Sequence, residues 1–176
     1  SLELARQLTL ADYELFRGVT AMEIHWWNTH KVGEGGAGES GCPNLTALTE
    51  RFNRLAFFIS HAVLLCADTP TRVKVIEKVV KTMRCLERLR NYHGLAALLS
   101  GLDRPAVSRL QRAWAAVSRK QTDDLEQMRR LLSTERNYRA YRELMRDVRL
   151  PAIPFMVLYL SDLTHIRDGN ADRDGD

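Results

Sequence analysis

The chain has 176 residues, 45% of them hydrophobic and 27% charged, with a formal net charge of +4. A chain of this size and composition forms one globular domain that buries roughly 70% of its unfolded surface without disulfides or metal, which excludes stapled mini-proteins and disordered polyelectrolytes. The longest apolar run, residues 155–160, falls far short of the roughly 20 residues of a membrane span.

Residues 10–166 read as helical almost throughout. Residues 32–41, V-G-E-G-G-A-G-E-S-G, hold five glycines and are expected to form a flexible linker. They lack the Lys-Ser/Thr that a phosphate-binding loop needs after its glycines. Leu45, Leu48, Phe52, Leu55, Ile59, Ala62 and Cys66 then recur in steps of three and four, the stripe of an amphipathic helix, with Asn44 expected as its N-cap. A second helix starts at Thr69-Pro70, with Val73, Ile76, Val80, Met83, Leu86 and Leu89 inward and Lys74, Lys78, Lys81, Arg84 and Arg88 outward. Shorter periodic pieces follow at residues 95–102, 107–114, 125–132 and 138–148. Pro151 and Pro154 stiffen an extended connector, a last apolar run follows, and residues 169–176 form a polar tail expected to fray. No segment shows sustained period-2 alternation, so the expected class is all-α, a multi-helix fold with short connections.

Charge is uneven. Residues 72–149 carry 19 Lys/Arg against 9 Asp/Glu, a balance that suits nucleic acid, anionic lipid or an acidic protein surface. The arginines sit at helical spacing among apolar positions, which favours solvated outer helix faces. Cys42, Cys66 and Cys85 form no C-x-x-C pair and suit a reducing compartment, and no charged-then-apolar leader opens the chain. A cytoplasmic protein is the expectation. His25, His30, His61, His93 and His165 make no H-E-x-x-H and no i, i+4 pair, so no metal site is expected. No G-x-S-x-G elbow is present, and no Ser or Cys is placed beside an activating His. Covalent catalysis has no support; a protein-binding or nucleic-acid-binding helical module remains.

Residues 3–10 (E-L-A-R-Q-L-T-L), 44–54 (N-L-T-A-L-T-E-R-F-N-R), 72–78 (R-V-K-V-I-E-K), 91–95 (N-Y-H-G-L), 100–110 (S-G-L-D-R-P-A-V-S-R-L) and 153–163 (I-P-F-M-V-L-Y-L-S-D-L) form ordered blocks over almost the whole chain. Together they resemble the catalytic domain of Ras-family guanine-nucleotide exchange factors. The resemblance implies an all-helical domain whose groove grips the switch segments of a Ras-like GTPase, of Ras or Rap type by the wording of the motifs, while a helical hairpin opens the nucleotide site. It implies no cofactor, no covalent step and no nucleic-acid partner. It also implies recruitment to GTPase-bearing membranes through other parts of a parent protein. A non-catalytic GTPase-binding scaffold is the alternative.

Residue by residue, the resemblance makes Phe155 the aromatic of the pocket for a switch II side chain, with Tyr138 and Ala96 around it. Thr49, Glu50, Asn53, Ser100 and Asp103 match GTPase-facing positions. Thr164 and Asp168, four apart on one helix face, match the intruding residues, the first over the magnesium position and the second near a nucleotide phosphate. Without the resemblance, Phe155 and Tyr138 read equally well as core and the polar residues as solvent-facing. Asp103 stands where the family usually has asparagine, and Thr164 is smaller and more polar than the leucine of the Sos type. The family pattern continues beyond residue 176 through the hairpin's second arm and closing helices. Residues 1–176 are therefore expected to be a partial domain holding the first arm, with weak exchange activity by themselves.

Overall fold

The computed structural model describes residues 1–29 and 41–169. Apart from Gly41, the expected linker lies outside the described residues, as does the tail after Gly169. The described residues form ten helices: α1 (Leu2–Gly18), α2 (Ala21–Thr29), α3 (Pro43–Leu64), α4 (Thr69–Arg88), α5 (Tyr92–Asp103), α6 (Pro105–Ser108), α7 (Gln111–Ala116), α8 (Arg119–Leu131), α9 (Arg139–Arg146) and α10 (Met156–Gly169). They contain no strand, only an isolated parallel bridge between Asn91 and Ile153. The fold is all-α.

The core is organised around α5. Ten of its twelve residues are buried, because α3, α4 and α1 all pack on it. Gly101 permits the approach of α3: a Cβ there would lie 2.7 Å from the Ala56 carbonyl oxygen and 2.8 Å from Ile59 Cβ. Helix α4 turns Ile76, Val80, Met83 and Leu86 inward as its period requires, and Asp68 caps it by accepting the Thr71 N–H at 2.7 Å. Its last turn closes with paired reverse bonds, Asn91 N–H to the Leu86 carbonyl and Arg90 N–H to the Glu87 carbonyl. That motif needs a left-handed residue, which Arg90 supplies at φ 56°. Asn91 then caps α5 by accepting the Gly94 N–H at 2.8 Å.

Two local expectations are corrected. Cys42, not Asn44, occupies the N-cap position of α3. With Pro43 opening the helix, Asn44 falls in its first turn, where both its backbone N–H and its Nδ2 donate to Glu23 Oε1 of α2, at 3.1 and 2.9 Å. Residues 107–114 are not one helix: the chain breaks between α6 and α7. There the Val107 carbonyl accepts both the Leu110 N–H and the Trp114 Nε1–H, the latter at 2.9 Å.

The connector before α10 is held against the centre of the fold. Ile153 donates to the Arg90 carbonyl and accepts from the Tyr92 N–H, each at 2.9 Å. This fixes where Phe155 emerges. Beyond it, Met156 and Leu160 of α10 pack with Leu45 and Leu48 of α3 and with Trp26 and Trp27 of α2.

Candidate functional site

Phe155 stands half-buried at the entry to α10. Its ring stacks on Phe52 of α3 at 5.8 Å between centroids and 21° between planes, and meets Tyr138 edge-on at 6.2 Å and Tyr141 at 6.5 Å. These geometries are the favoured ones for aromatic pairs. Tyr141 is fully buried, and burial pushes its phenol pKa up, so the neutral hydroxyl accepts the Phe155 backbone N–H at 2.8 Å. Tyr138 arrives through a turn in which Arg136, Asn137 and Tyr138 all have φ between 49° and 56°. Left-handed backbone at consecutive non-glycine residues is costly and persists only where packing fixes it; here it delivers the Tyr138 ring to Phe155.

Behind the aromatics lies a buried polar cluster. Asp12 of α1, 1% exposed, accepts from Arg51 Nε and from Asn91 Nδ2, each at 2.7 Å. His93, also 1% exposed, packs edge-on against Phe52 at 5.3 Å, and neither ring nitrogen completes a hydrogen bond among the described residues. Burial lowers its pKa below the ordinary histidine value, while the Asp12 charge pulls the other way. Ala96 is buried one turn further along α5.

Helices α3 and α5 run side by side in the same direction, with Phe52 level with His93 and Ala56 and Ile59 level with Gly101. Glu50 and Asn53 are exposed on α3, and Ser100 and Asp103 on α5. Thr49 is half-buried and its hydroxyl donates to the Leu45 carbonyl at 2.9 Å. Asp103 does not present a free charge: its carboxylate accepts from Arg129 Nη2 at 2.6 Å and Nε at 3.1 Å.

Thr164 and Asp168 share one face of α10, away from the aromatic cluster. The Thr164 hydroxyl donates to the Leu160 carbonyl at 3.0 Å, and exposed Asp168 pairs with Arg167 at 2.9 Å. Arg167 also reaches the Asn28 carbonyl of α2 at 2.8 Å, and Arg142 clasps Asp162 through contacts of 2.7 and 2.8 Å. The expected site residues thus fall into three groups: an aromatic pocket, a two-helix edge beside it, and the α10 tip.

Periodicity places Phe52 in the core stripe, yet the structure puts it half-exposed as the stacking partner of Phe155. Tyr141 and the cluster of Asp12, Arg51, Asn91 and His93 carry no local signal either, because their partners lie 14 to 79 residues away in sequence. Among the described residues, no group of three or more His, Cys, Asp or Glu could hold a metal ion, and no helix is long and apolar enough to cross a membrane.

A family model described as the RasGEF domain matches residues 3–176. The Ras guanine nucleotide exchange factor W of Dictyostelium discoideum is 33% identical over 97% of this chain, which spans 14% of that protein. The human Ras-specific guanine nucleotide-releasing factor RalGPS2 is 34% identical over 93% of the chain, and human Rap guanine nucleotide exchange factor 1 is 34% identical over 97%. The chain covers 28% and 15% of their lengths, so it spans less than a third of each of these relatives. With the match running from the first turn of α1 through α10, the chain belongs to the RasGEF domain family.

Proposed function

We propose that this domain promotes GDP release from a Ras-like small GTPase of the Ras or Rap type, gripping its switch segments and allowing GTP to load. The observation that carries the reading is the half-exposed aromatic cluster of Phe155, Phe52 and Tyr138, at the position where the family holds a switch II side chain. Such a pocket offers a partner residue desolvated aromatic walls, the usual make-up of an interface hot spot. The exposed edge of Glu50, Asn53, Ser100 and Asp103 then faces the rest of the switch segment, with Thr49 and Ala96 shaping its inner wall. Thr164 and Asp168 enter the nucleotide site, the first at the magnesium position and the second near a phosphate.

The mechanism is conformational, with no covalent step and no cofactor on this chain. A factor that binds the nucleotide-free GTPase better than the loaded form weakens nucleotide binding by the same ratio. Shifting the GTPase from about 1:99 to 99:1 in favour of the open state takes about 5.5 kcal/mol of differential binding. Cytoplasmic location with recruitment to GTPase-bearing membranes follows from the partner.

The test measures binding of the chain to nucleotide-free Ras, Rap and Ral proteins, together with release of a fluorescent GDP analogue from each. Complex formation with one of them, reduced about thirtyfold by Phe155→Ala, is expected, that factor being the ~2 kcal/mol threshold of a hot spot. No complex with any of them would overturn the reading. A tight complex with GDP release at background, both for residues 1–176 and for a chain extended through the hairpin's second arm, would make the domain a binder only.

A further inference from the structure

Helix α3 does not end its exposed edge at Asn53. Glu50, Asn53 and Phe57 follow at steps of three and four, so they share one face, and Phe57 keeps 49% of its surface in solvent. Arg104, at the junction of α5 and α6, places its guanidinium carbon 3.8 Å above the Phe57 ring. The α5 side of the edge, Ser100 and Asp103, runs directly into Arg104. Phe57 and Arg104 therefore close both rails of the two-helix edge at the end remote from Phe155.

Their chemistry differs from that of their neighbours. Two of the cations nearby are committed, Arg51 to Asp12 and Arg129 to Asp103 and Glu126, while exposed Arg54 on α3 adds a further positive charge one turn before Phe57. Arg104 forms no ion pair among the described residues. Its main chain is held by Pro105 and by the Val107 and Ser108 N–H groups bonded to its carbonyl at 2.8 and 2.9 Å. A guanidinium over a ring still offers in-plane N–H donors to a carboxylate. An exposed aromatic beneath an uncommitted arginine is the composition enriched in interface hot spots.

We infer that the GTPase footprint extends over Phe57 and Arg104, which together form a specificity-determining contact for an apolar partner side chain with a carboxylate beside it. This rests on the exchange-factor reading above, since the occupant is the same GTPase, and continuity of the edge from Asn53 and Asp103 names it as the occupant. The contact lies further along α3 than Phe52, the ring that stacks on Phe155, so it is separate from the pocket and selects among GTPases that share the switch II side chain.

The experiment compares the chain with its Phe57→Ala, Phe57→Leu, Arg104→Ala and Arg104→Lys variants for affinity to nucleotide-free Ras, Rap and Ral proteins, at two salt concentrations. Melting temperatures are recorded for each, and Phe155→Ala serves as a control on the pocket. Phe57→Ala is expected to weaken the preferred GTPase at least tenfold and the others less, with Phe57→Leu intermediate. Arg104→Ala is expected to weaken binding and flatten its salt dependence, and Arg104→Lys to restore the salt dependence but not the full affinity. If Phe155→Ala impairs binding while Phe57→Ala and Arg104→Ala bind like the unaltered chain, the pocket reading survives and this inference is overturned. If the chain binds no GTPase, both fall. A homodimer in sedimentation that Phe57→Ala dissolves, with GTPase affinity unchanged, would assign the patch to a second copy and also overturn the inference.

Discussion

Asp12, Arg51, Asn91 and His93 come from three helices and a turn, and Asp12 joins two of the other three: its carboxylate accepts from both Arg51 and Asn91. The Asp12 carboxylate, 1% exposed, is held by Arg51 and Asn91. Asp12→Ala would leave a largely buried guanidinium without its carboxylate and the Asn91 amide with only its longer bond to the Thr9 hydroxyl at 3.3 Å, and breaking such a buried ion pair costs about 3–5 kcal/mol. The urea midpoint should fall accordingly, and Asp12→Asn should fall less, because it still accepts a hydrogen bond. His93 adds a pH dependence of definite sign. Burial lowers its folded pKa, so the native state stays neutral where the unfolded chain begins to take a proton, near pH 6.5. Above that pH both states are neutral and the contribution is flat. As the pH falls below it the unfolded state binds more protons, and stability declines until the folded pKa is reached. The carboxylates Asp68 and Glu77 have pKa values lowered by the Thr71 and Ser118 backbone N–H groups, so they titrate at more acidic pH than ordinary carboxylates, below the interval from 7 to 5.5. Melting temperatures measured across that interval should drop for the unaltered chain and drop less for His93→Leu; equal slopes would remove His93 from the account.

At the level of helices, how much is legible in the sequence depends on how each helix meets its neighbours. Helices α3 and α4 bury one face, so their period of three and four shows them almost to the residue. Helix α5 is buried on nearly every side, so its apolar residues leave no polar face to mark a period, and only the segment 95–102 of it is readable. The break between α6 and α7 is invisible for another reason: the Trp114 bond to the Val107 carbonyl closes it, and a tryptophan at that spacing fits a continuous helix equally well. The aromatic pocket is half legible. Phe155 and Tyr138 emerge by resemblance, whereas Phe52 is hidden in a core stripe and Tyr141 in an ordinary helical face. What ties the site together is the packing of α3 on α5, and Gly101 is a point of close approach within it. A methyl group there meets the Ala56 carbonyl oxygen at 2.7 Å, rigid backbone that moves only if the helices separate. Gly101→Ala should cost about 1–3 kcal/mol in overpacking, offset by up to ~1 kcal/mol of helix propensity. Under the exchange-factor reading the two helices carry the two rails of the GTPase-facing edge, so affinity for a nucleotide-free GTPase should fall with it. A variant destabilised yet binding normally would show that the edge tolerates a wider spacing.

Across the whole molecule, four arginines from the basic middle of the chain form internal pairs: Arg84 with Asp124, Arg129 with Asp103, Arg139 with Glu143 and Arg142 with Asp162. The last of these matters most for a lever. Helix α10 is rooted at one end among the aromatics, through Phe155 and the Arg142–Asp162 clasp, and tied at the other to α2, where Arg167 reaches the Asn28 carbonyl. Between them, Met156 and Leu160 are buried against α3 and α2. The helix that starts beside Phe155 is thus fixed at both ends, and under the exchange-factor reading a GTPase held at Phe155 would meet Thr164 and Asp168 at a set distance. The two ties differ in what they control. Loosening the root disturbs the pocket itself, whereas Arg167→Ala leaves the pocket intact and frees only the tip, removing a half-buried hydrogen bond worth about 1–2 kcal/mol and the cation beside Asp168. Under the exchange-factor reading, Arg167→Ala should slow GDP release more than it weakens binding to the nucleotide-free GTPase, while Phe155→Ala should reduce both together. Measured side by side, equal losses of release and affinity for Arg167→Ala would make α10 simply part of the grip. Unchanged release would mean that the position of the tip does not matter to opening the nucleotide site.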